Sequence, residues 1–364
     1  MKILYLSNSV GNLYSGPSYS IPAQIEAQSK YDEVFWYNSV ISKQTKWKEL
    51  PYYFDISEIK TKKLNDIIKF TGKPDLIIIE QFYNHIRDHY LYDIFFSSIP
   101  YIIVPRGELT KKAQQRKKIK KYFVNLAIAK FIINKAVSIH FLTEKERDES
   151  GSDWNQHSIV IPNGMTIPTE SRTYFTKDVL QFISIGRIEP YQKGLDILID
   201  ALYSMRDELL RQNCRFDLYG ADVDGKAIGL KKRIKELGLE KFVAIHGPVY
   251  NEKKINILQS ADIYIMPSRF EGHPMALIEA MAYGLPCIVS EGSNMRQEVD
   301  HWEAGWSFGT SVDELKCAIK KSIHNRTLIN FFGKNAKELA KEFDWNRIAK
   351  LSHNEYLELI QKER

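Results

Sequence analysis

The chain has 364 residues, 44% apolar and 26% charged, a composition that suits a soluble globular protein and a length that asks for two domains rather than one core. Its net charge of +6 is modest for that length. The three cysteines, Cys214, Cys287 and Cys317, exclude a disulfide framework and a metal spacing, and the longest greasy stretch, 123–142, is broken by Lys130, Asn134 and Lys135, which argues against a bilayer span.

From the N-terminus onward, short apolar runs alternate with amphipathic stretches, the pattern of parallel α/β units. The opening Met-Lys-Ile-Leu-Tyr-Leu-Ser reads as a strand over 3–6. It has one basic residue, a short apolar run and no small-residue cleavage site, so no signal peptide and a cytoplasmic setting are expected. Further strands are expected over 34–37, 76–79, 101–104, 138–142 and 159–161. Pro162-Asn-Gly-Met-Thr-Ile-Pro168 disfavours continuation of either kind of element and marks a seam. The βα pattern restarts beyond it, with strands over 182–185, 216–219, 243–246, 263–266 and 287–290 and helices over 195–210, 226–237 and 252–259. Cys214 and Cys287 fall where strand-edge packing residues are expected. The last stretch, 343–359, reads as a helix. The prediction is an α/β protein of two Rossmann-like domains whose parallel sheets face each other across a cleft.

The most telling segment is Glu271-Gly-His-Pro-Met-Ala-Leu-Ile-Glu279. It follows the strand at 263–266 through Pro267-Ser268. An acid in a tight turn is followed by Pro274 at the expected first helical position, then by a helix over 275–283 that carries a second acid about a turn and a half in. Such a strand, turn and helix offer an anion site with two hydroxyl acceptors beside it. The second half opens with Gly186-Arg-Ile-Glu-Pro-Tyr-Gln-Lys-Gly194. Arg187 and Lys193 stand at the rim where such sheets bind ligands, and Gly194-Leu195 begins a helix whose unbonded N–H groups favour an anion. An isolated Arg-x5-Lys is merely two solvated cations. Against a diphosphate, each contact at ~4 Å contributes about 4 kcal/mol of Coulomb attraction at an effective dielectric near 20, before desolvation is subtracted.

Other motifs exclude alternatives. Gly11-Asn-Leu-Tyr-Ser-Gly16-Pro17-Ser18 has the glycine spacing of a P-loop without its Lys, and is not Gly-x-Gly-x-x-Gly, so ATP and dinucleotide sites are disfavoured. Asp222-Val-Asp224 imitates an Asp-x-Asp metal motif but sits in a Gly-rich loop and reads as loop and helix-capping acids. No other cluster has metal spacing, and no metal requirement is expected. Lys111, Lys112, Arg116, Lys117, Lys118, Lys120 and Lys121 make seven of the eleven residues at 111–121 basic, with Tyr122 and Phe123 next. Like charges at helical spacing repel, so this density points to an anionic partner. Anionic headgroups at the inner face of the cell membrane fit, at about 1 kcal/mol per basic residue; nucleic acid does not, for want of any nucleic-acid fold signature.

The run 271–286, Glu-Gly-His-Pro-Met-Ala-Leu-Ile-Glu-Ala-Met-Ala-Tyr-Gly-Leu-Pro, resembles the signature of retaining family-4 glycosyltransferases of the GT-B fold. The loop 186–194 resembles that family's Gly-Arg-x5-Lys-Gly, and 288–294 with 304–306 resembles its last βα region. The likeness is dense from 182 to 308 and sparser before it. It implies metal-independent transfer of a hexose-type sugar, configuration kept, from a UDP- or GDP-sugar to a glycan or lipid-diphosphate-linked acceptor in surface-polysaccharide synthesis. In the resemblance, Arg187 and Lys193 hold the departing diphosphate, Glu271 faces the sugar and its developing positive charge, and Glu279 holds the ribose hydroxyls. Gly16, Gly186, His273 and the backbone N–H groups of Met275, Ala276 and Leu277 complete the donor side; many relatives carry Phe at the position of His273. Arg106 replaces a His found in many relatives, and with Glu108 and Ser18 it is assigned to the acceptor side. The family's terminal helix crosses back to the first domain, which gives domains of 1–166 plus 345–364 and of 167–344. Two other readings stay open: a different sugar-nucleotide enzyme on this fold (an epimerase or a phosphorolytic transferase), and a non-catalytic nucleotide-sugar-binding protein.

Overall fold

The computed structural model describes residues 1–12, 16–115, 118–169 and 178–363. The chain divides into two compact units, Met1–Gly164 with Trp345–Arg364, and Met165–Asp344. The division falls two residues ahead of the seam position expected after 166.

Each unit is built on one parallel sheet. In the first, β1 (Lys2–Ser7), β2 (Glu33–Asn38), β3 (Tyr53–Asp55), β4 (Leu76–Glu80), β5 (Tyr101–Val104), β6 (Ser138–Phe141) and β7 (Ser158–Val160) take the order β3-β2-β1-β4-β5-β6-β7. In the second, β8 (Leu180–Ile185), β9 (Cys214–Tyr219), β10 (Val243–His246), β11 (Ile263–Met266), β12 (Cys287–Ser290) and β13 (Gly305–Phe308) take the order β10-β9-β8-β11-β12-β13. Both are Rossmann-like α/β units. β4, β5, β11 and β12 are buried at every position, as strands covered on both faces must be, and this is why they read as unbroken apolar runs. The strand order reverses between β1 and β4 and again between β8 and β11. In doubly wound sheets, ligands bind outside the carboxyl ends of the strands at this switch point.

Three local features differ from the sequence reading. β3 and β13 lie at sheet edges and were not legible, because each is short and forms by pairing with a neighbour, β2 or β12. The helix expected over 195–210 is two, Leu195–Ser204 and Arg206–Arg211, parted at Met205, whose φ of −126° is not helical. Asp222 and Asp224 are loop acids only: Gly225 precedes the helix Lys226–Glu236 with no side-chain cap, and Asp224 pairs with Lys226 at 3.6 Å. Cys214 and Cys287 open β9 and β12 as buried free thiols, and Cys317 is exposed.

The terminal helix Trp345–Glu363 packs into the first unit, sharing a core with Ile21 and Ile25 of the helix Pro17–Gln28 through Trp345, Ile348 and Tyr356. His140 of β6 ties it to the sheet: Nδ1 lies 2.8 Å from the Tyr356 hydroxyl and Nε2 2.8 Å from the Ile161 carbonyl. Burial pushes this imidazole down to about 4, so it is neutral at pH 7. The Asn-Gly of the seam has a steric cause, since a Cβ on Gly164 would lie 2.4 Å from the Trp345 indole. Among the described residues, no helix is long and apolar enough to cross a membrane.

Candidate functional site

Three loops converge at the switch point of the second unit. The chain leaves β8 through Gly186, whose N–H donates to the Tyr219 carbonyl at 2.9 Å. It turns through Arg187–Lys193 and enters the helix Leu195–Ser204 at Gly194, in the left-handed region with φ +64°. A Cβ on Gly194 would lie 1.8 Å from the Pro267 carbonyl oxygen, so the first two loops pack backbone to backbone. Gly194→Ala is therefore expected to cost about 1–3 kcal/mol of stability, from strain and displacement together, in urea unfolding of the purified chain.

The loop leaving β11 is stitched to the first. The Arg269 N–H donates to the Gln192 carbonyl at 2.9 Å. The Arg269 guanidinium forks onto Asp196 at 2.7 and 2.9 Å, donates to the Tyr191 carbonyl at 2.7 Å and lies 4.5 Å from the Tyr191 ring centre. The third loop, after β12, holds the acid turn: the Glu271 N–H donates to the Gly292 carbonyl at 2.9 Å, and the Asn294 amide donates to the Glu271 and Gly272 carbonyls at 2.6 and 3.0 Å. Ser268, Arg269 and Asn294 were not singled out in the sequence. Their partners stand on other loops, and the only local signal was the polar pair Ser268-Arg269 between a strand and an acid.

This scaffold brings a cation and an acid together. Lys193 Nζ lies 2.7 Å from Glu271 Oε1, and the Ser268 hydroxyl donates to the same oxygen at 2.5 Å. Arg187 is tethered to the Gln192 side-chain oxygen at 3.1 Å. A small pocket here is lined by Gly186, Arg187, Lys193, Tyr219, Met266 and Ser268. Glu279 stands on the helix Met275–Ala282 and pairs with Lys254, a partner the sequence reading missed. Both acids act on one buried group: burial raises the Tyr264 hydroxyl strongly, and Glu271 and Glu279 each push it further up. That hydroxyl donates to the Ile185 carbonyl at the end of β8.

The acid-bearing turn differs from expectation in two ways. Pro274 precedes the helix instead of opening it, because its carbonyl accepts from the N–H groups of Leu277 and Ile278 at 2.9 and 3.2 Å. The Met275 N–H donates to the His273 carbonyl at 3.0 Å. Of the backbone donors assigned to a ligand, Met275 and Leu277 thus already serve the turn, which leaves Ala276 as the remaining candidate of the three. The His273 Nδ1 lies 3.3 Å from the Met275 sulfur, and its ring is 5.7 Å from that of Phe343.

The residues assigned to the first unit stand apart in role. Gly16 precedes the helix Pro17–Gln28, Ser18 is buried in its first turn, and residues 13–15 of that loop lie outside the described residues. Arg106 is not a surface cation waiting for a ligand. Its guanidinium donates to Glu80 at 2.6 Å, Ser20 at 3.1 Å, Asn163 at 3.0 Å and Gln24 at 2.7 Å, which makes it a buried structural tie. Glu108 accepts from the Tyr83 N–H at 3.1 Å, and burial pushes its carboxyl up to about 7. A pKa higher in the folded than in the unfolded chain gives stability that is full below the unfolded value of about 4.3 and lost as pH rises through 7. Glu108→Gln is thus expected to melt several degrees above the parent at pH 8, and the gain should shrink as pH falls and vanish only below about pH 4 in thermal scans.

Of the basic stretch, Arg116 and Lys117 and the side chains of Lys112, Lys118 and Lys120 lie outside the described residues. Lys111 is exposed. Lys121, assigned with the stretch to an anionic partner, instead turns onto the protein: its Nζ donates to the Ala113 carbonyl at 2.9 Å and lies 4.5 Å from the Tyr83 ring centre.

Residues 169–339 match the family model for glycosyl transferases group 1. Two curated relatives match over shorter stretches. The amylovoran biosynthesis glycosyltransferase AmsK of Erwinia amylovora is 32% identical over 35% of this chain and 31% of its own. The UDP-Gal:alpha-D-GlcNAc-diphosphoundecaprenol alpha-1,3-galactosyltransferase of Escherichia coli is 30% identical over 36% of each. The chain thus spans about a third of the length of each of these two relatives. Anabaena Alr3699/HepE, solved in complex with UDP, superposes over 98% of this chain and 100% of its own with a TM-score of 0.76 at 18% identity, a likeness of GT-B fold.

Proposed function

Because residues 169–339 carry the group 1 glycosyltransferase pattern, we propose that the protein is a retaining, metal-independent glycosyltransferase. It moves a hexose-type sugar from a UDP- or GDP-sugar to a glycan acceptor borne on a lipid diphosphate, at the cytoplasmic face of the cell membrane. The observation that carries the reading is the contact of Lys193 with Glu271, beside Arg187, at the switch point of the second sheet.

The chemistry follows from the charges. A donor diphosphate competes with Glu271 for Lys193 and draws in Arg187, whose bond to the Gln192 side chain is to a neutral amide. Two side-chain cations then neutralise the leaving group, as a divalent metal does elsewhere. Glu271, relieved of Lys193 but still held by Ser268, faces the sugar carbon as it gains positive charge. The bond from that carbon to the diphosphate oxygen breaks, and the acceptor oxygen bonds to the same face. The acceptor's proton passes to the departing phosphate oxygen. The lipid-linked acceptor is supported by the relatives, one named for amylovoran biosynthesis and one for a diphosphoundecaprenol substrate.

The test is a mass-spectrometric screen of UDP- and GDP-hexoses, with and without a lipid-diphosphate glycan and with and without a chelator. Acceptor-dependent, chelator-insensitive transfer with the donor's anomeric configuration kept is the expected result. Consumption driven by inorganic phosphate alone would mean a phosphorolytic enzyme, donor isomerisation an epimerase, and nucleotide binding without turnover a binding protein; each overturns the proposal.

A further inference from the structure

The helical segment after the basic stretch is apolar on two sides. It runs through Lys118–Val124, a single π turn at Asn125–Ala129, and Lys130–Lys135. Its inner side, Val124, Ile128, Ala129, Ile132 and Ile133, packs on the first unit's core. Its outer side carries Ile119, Tyr122, Phe123, Leu126 and Phe131, exposed by 77%, 62%, 64%, 64% and 63%. These form one row. On a helix of about 3.6 residues per turn, positions 0, 3, 4, 7 and 11 share a face. The one residue inserted by the π turn moves the last of them to position 12, which is Phe131.

A row of five large apolar side chains in water calls for a partner. The surrounding charge says which kind. Between Glu108 and Glu144 the sequence holds nine Lys and Arg and no Asp or Glu. Lys111, Lys130 and Lys135 are exposed, with Lys130 Nζ 5.9 Å from the Trp154 ring centre and Lys135 donating to the Phe95 carbonyl, while Lys121 folds inward. A greasy stripe in a stretch whose Lys and Arg meet no Asp or Glu in sequence fits an anionic lipid surface, into whose headgroup layer such a helix lays its apolar side while lysines meet phosphates. An acidic protein groove would meet the lysines but would not need so large an aromatic row.

We propose that this face inserts Ile119, Tyr122, Phe123, Leu126 and Phe131 into the headgroup region of an anionic membrane, so that attachment survives salt. This rests on the membrane setting proposed above and adds to it a mode of attachment, by apolar insertion as well as charge.

Flotation of the full chain with phosphatidylglycerol–phosphatidylethanolamine vesicles, and with neutral phosphatidylcholine vesicles, at about 50 and about 500 mM salt separates the two contributions, because only charge is screened. The parent should float with the anionic vesicles in both salts. Tyr122→Ser/Phe123→Ser/Leu126→Ser should lose the high-salt fraction at least about five-fold at an unchanged melting temperature. A single Tyr122→Trp variant, which keeps the row apolar, should shift its emission to the blue on vesicle addition. Equal high-salt flotation of the triple variant and the parent overturns the insertion. Binding that vanishes at high salt in the parent overturns the insertion and leaves the membrane setting standing; no binding at either salt overturns both. A dimer in light scattering that the triple variant abolishes would assign the row to a second copy of the chain and overturn the lipid assignment.

Discussion

Glu271→Gln is expected to cut the transfer rate about 10²–10³-fold, or about 3–4 kcal/mol of transition-state stabilisation, while nucleotide affinity holds or rises. The substitution keeps the shape of the side chain and an oxygen for the Ser268 hydroxyl, which now donates at 2.5 Å. It removes the charge. Two consequences of opposite sign follow. The sugar carbon loses the anion that faces its developing positive charge, so kcat falls. Lys193, now 2.7 Å from Glu271 Oε1, loses its competing carboxylate and is released for the diphosphate, so KM stays level or falls. That split marks a group acting on the transition state. Glu279→Gln supplies the contrast. Its carboxylate pairs with Lys254 and is assigned to ribose hydroxyls, so its loss should raise KM with little change in kcat. Steady-state kinetics on the donor found by the screen, with UDP and GDP titrations, read both. A Glu271→Gln enzyme turning over at the parent rate would remove Glu271 from the chemistry and leave Lys193 without a catalytic partner.

The sheets were legible wherever a strand is buried on both faces, as at Tyr101–Val104 and Ile263–Met266, since burial on both sides demands an unbroken apolar run. Tyr53–Asp55 and Gly305–Phe308 were not, because an edge strand owes its form to the neighbour it pairs with. The same divide runs through the site. Arg187, Lys193, Glu271 and Glu279 stand at short spacings that local sequence displays. The contacts that hold them do not: Lys193 and Glu271 are 78 residues apart, and Arg269 and Asp196 73. Backbone donors in the first helical turn are ordinarily open to a ligand, yet the turn His273-Pro274 absorbs two of them. Nothing in the spacing of residues 271–279 announced that. Arg106 shows the opposite failure. An arginine after a strand reads as a rim cation, and only the meeting of four distant segments turns it into a buried one.

That burial makes Arg106→Met the largest stability loss expected outside the apolar core. The side chains of Arg106 and Glu80 are 3% and 0% exposed and meet at 2.6 Å. Three further hydrogen bonds, to Ser20, Asn163 and Gln24, hold the guanidinium. Removing one partner of such a pair strands the other charge in low dielectric, at about 3–5 kcal/mol, or several degrees and more in melting temperature. A comparison with shape-conserving and charge-removing partners separates a stranded carboxylate from simple loss of packing. Arg106→Lys keeps the charge without the planar fork and should fall between. Arg106→Met/Glu80→Leu removes both charges and should recover much of the loss, since a buried ion pair is worth little more than its apolar replacement. The network shapes the carboxyl edge of the first sheet, because Glu80 ends β4 and Arg106 follows β5. Parent-like melting of Arg106→Met at pH 8 would mean the guanidinium is not needed by the fold, and would return Arg106 to the ligand-facing role that its place after a strand first suggested.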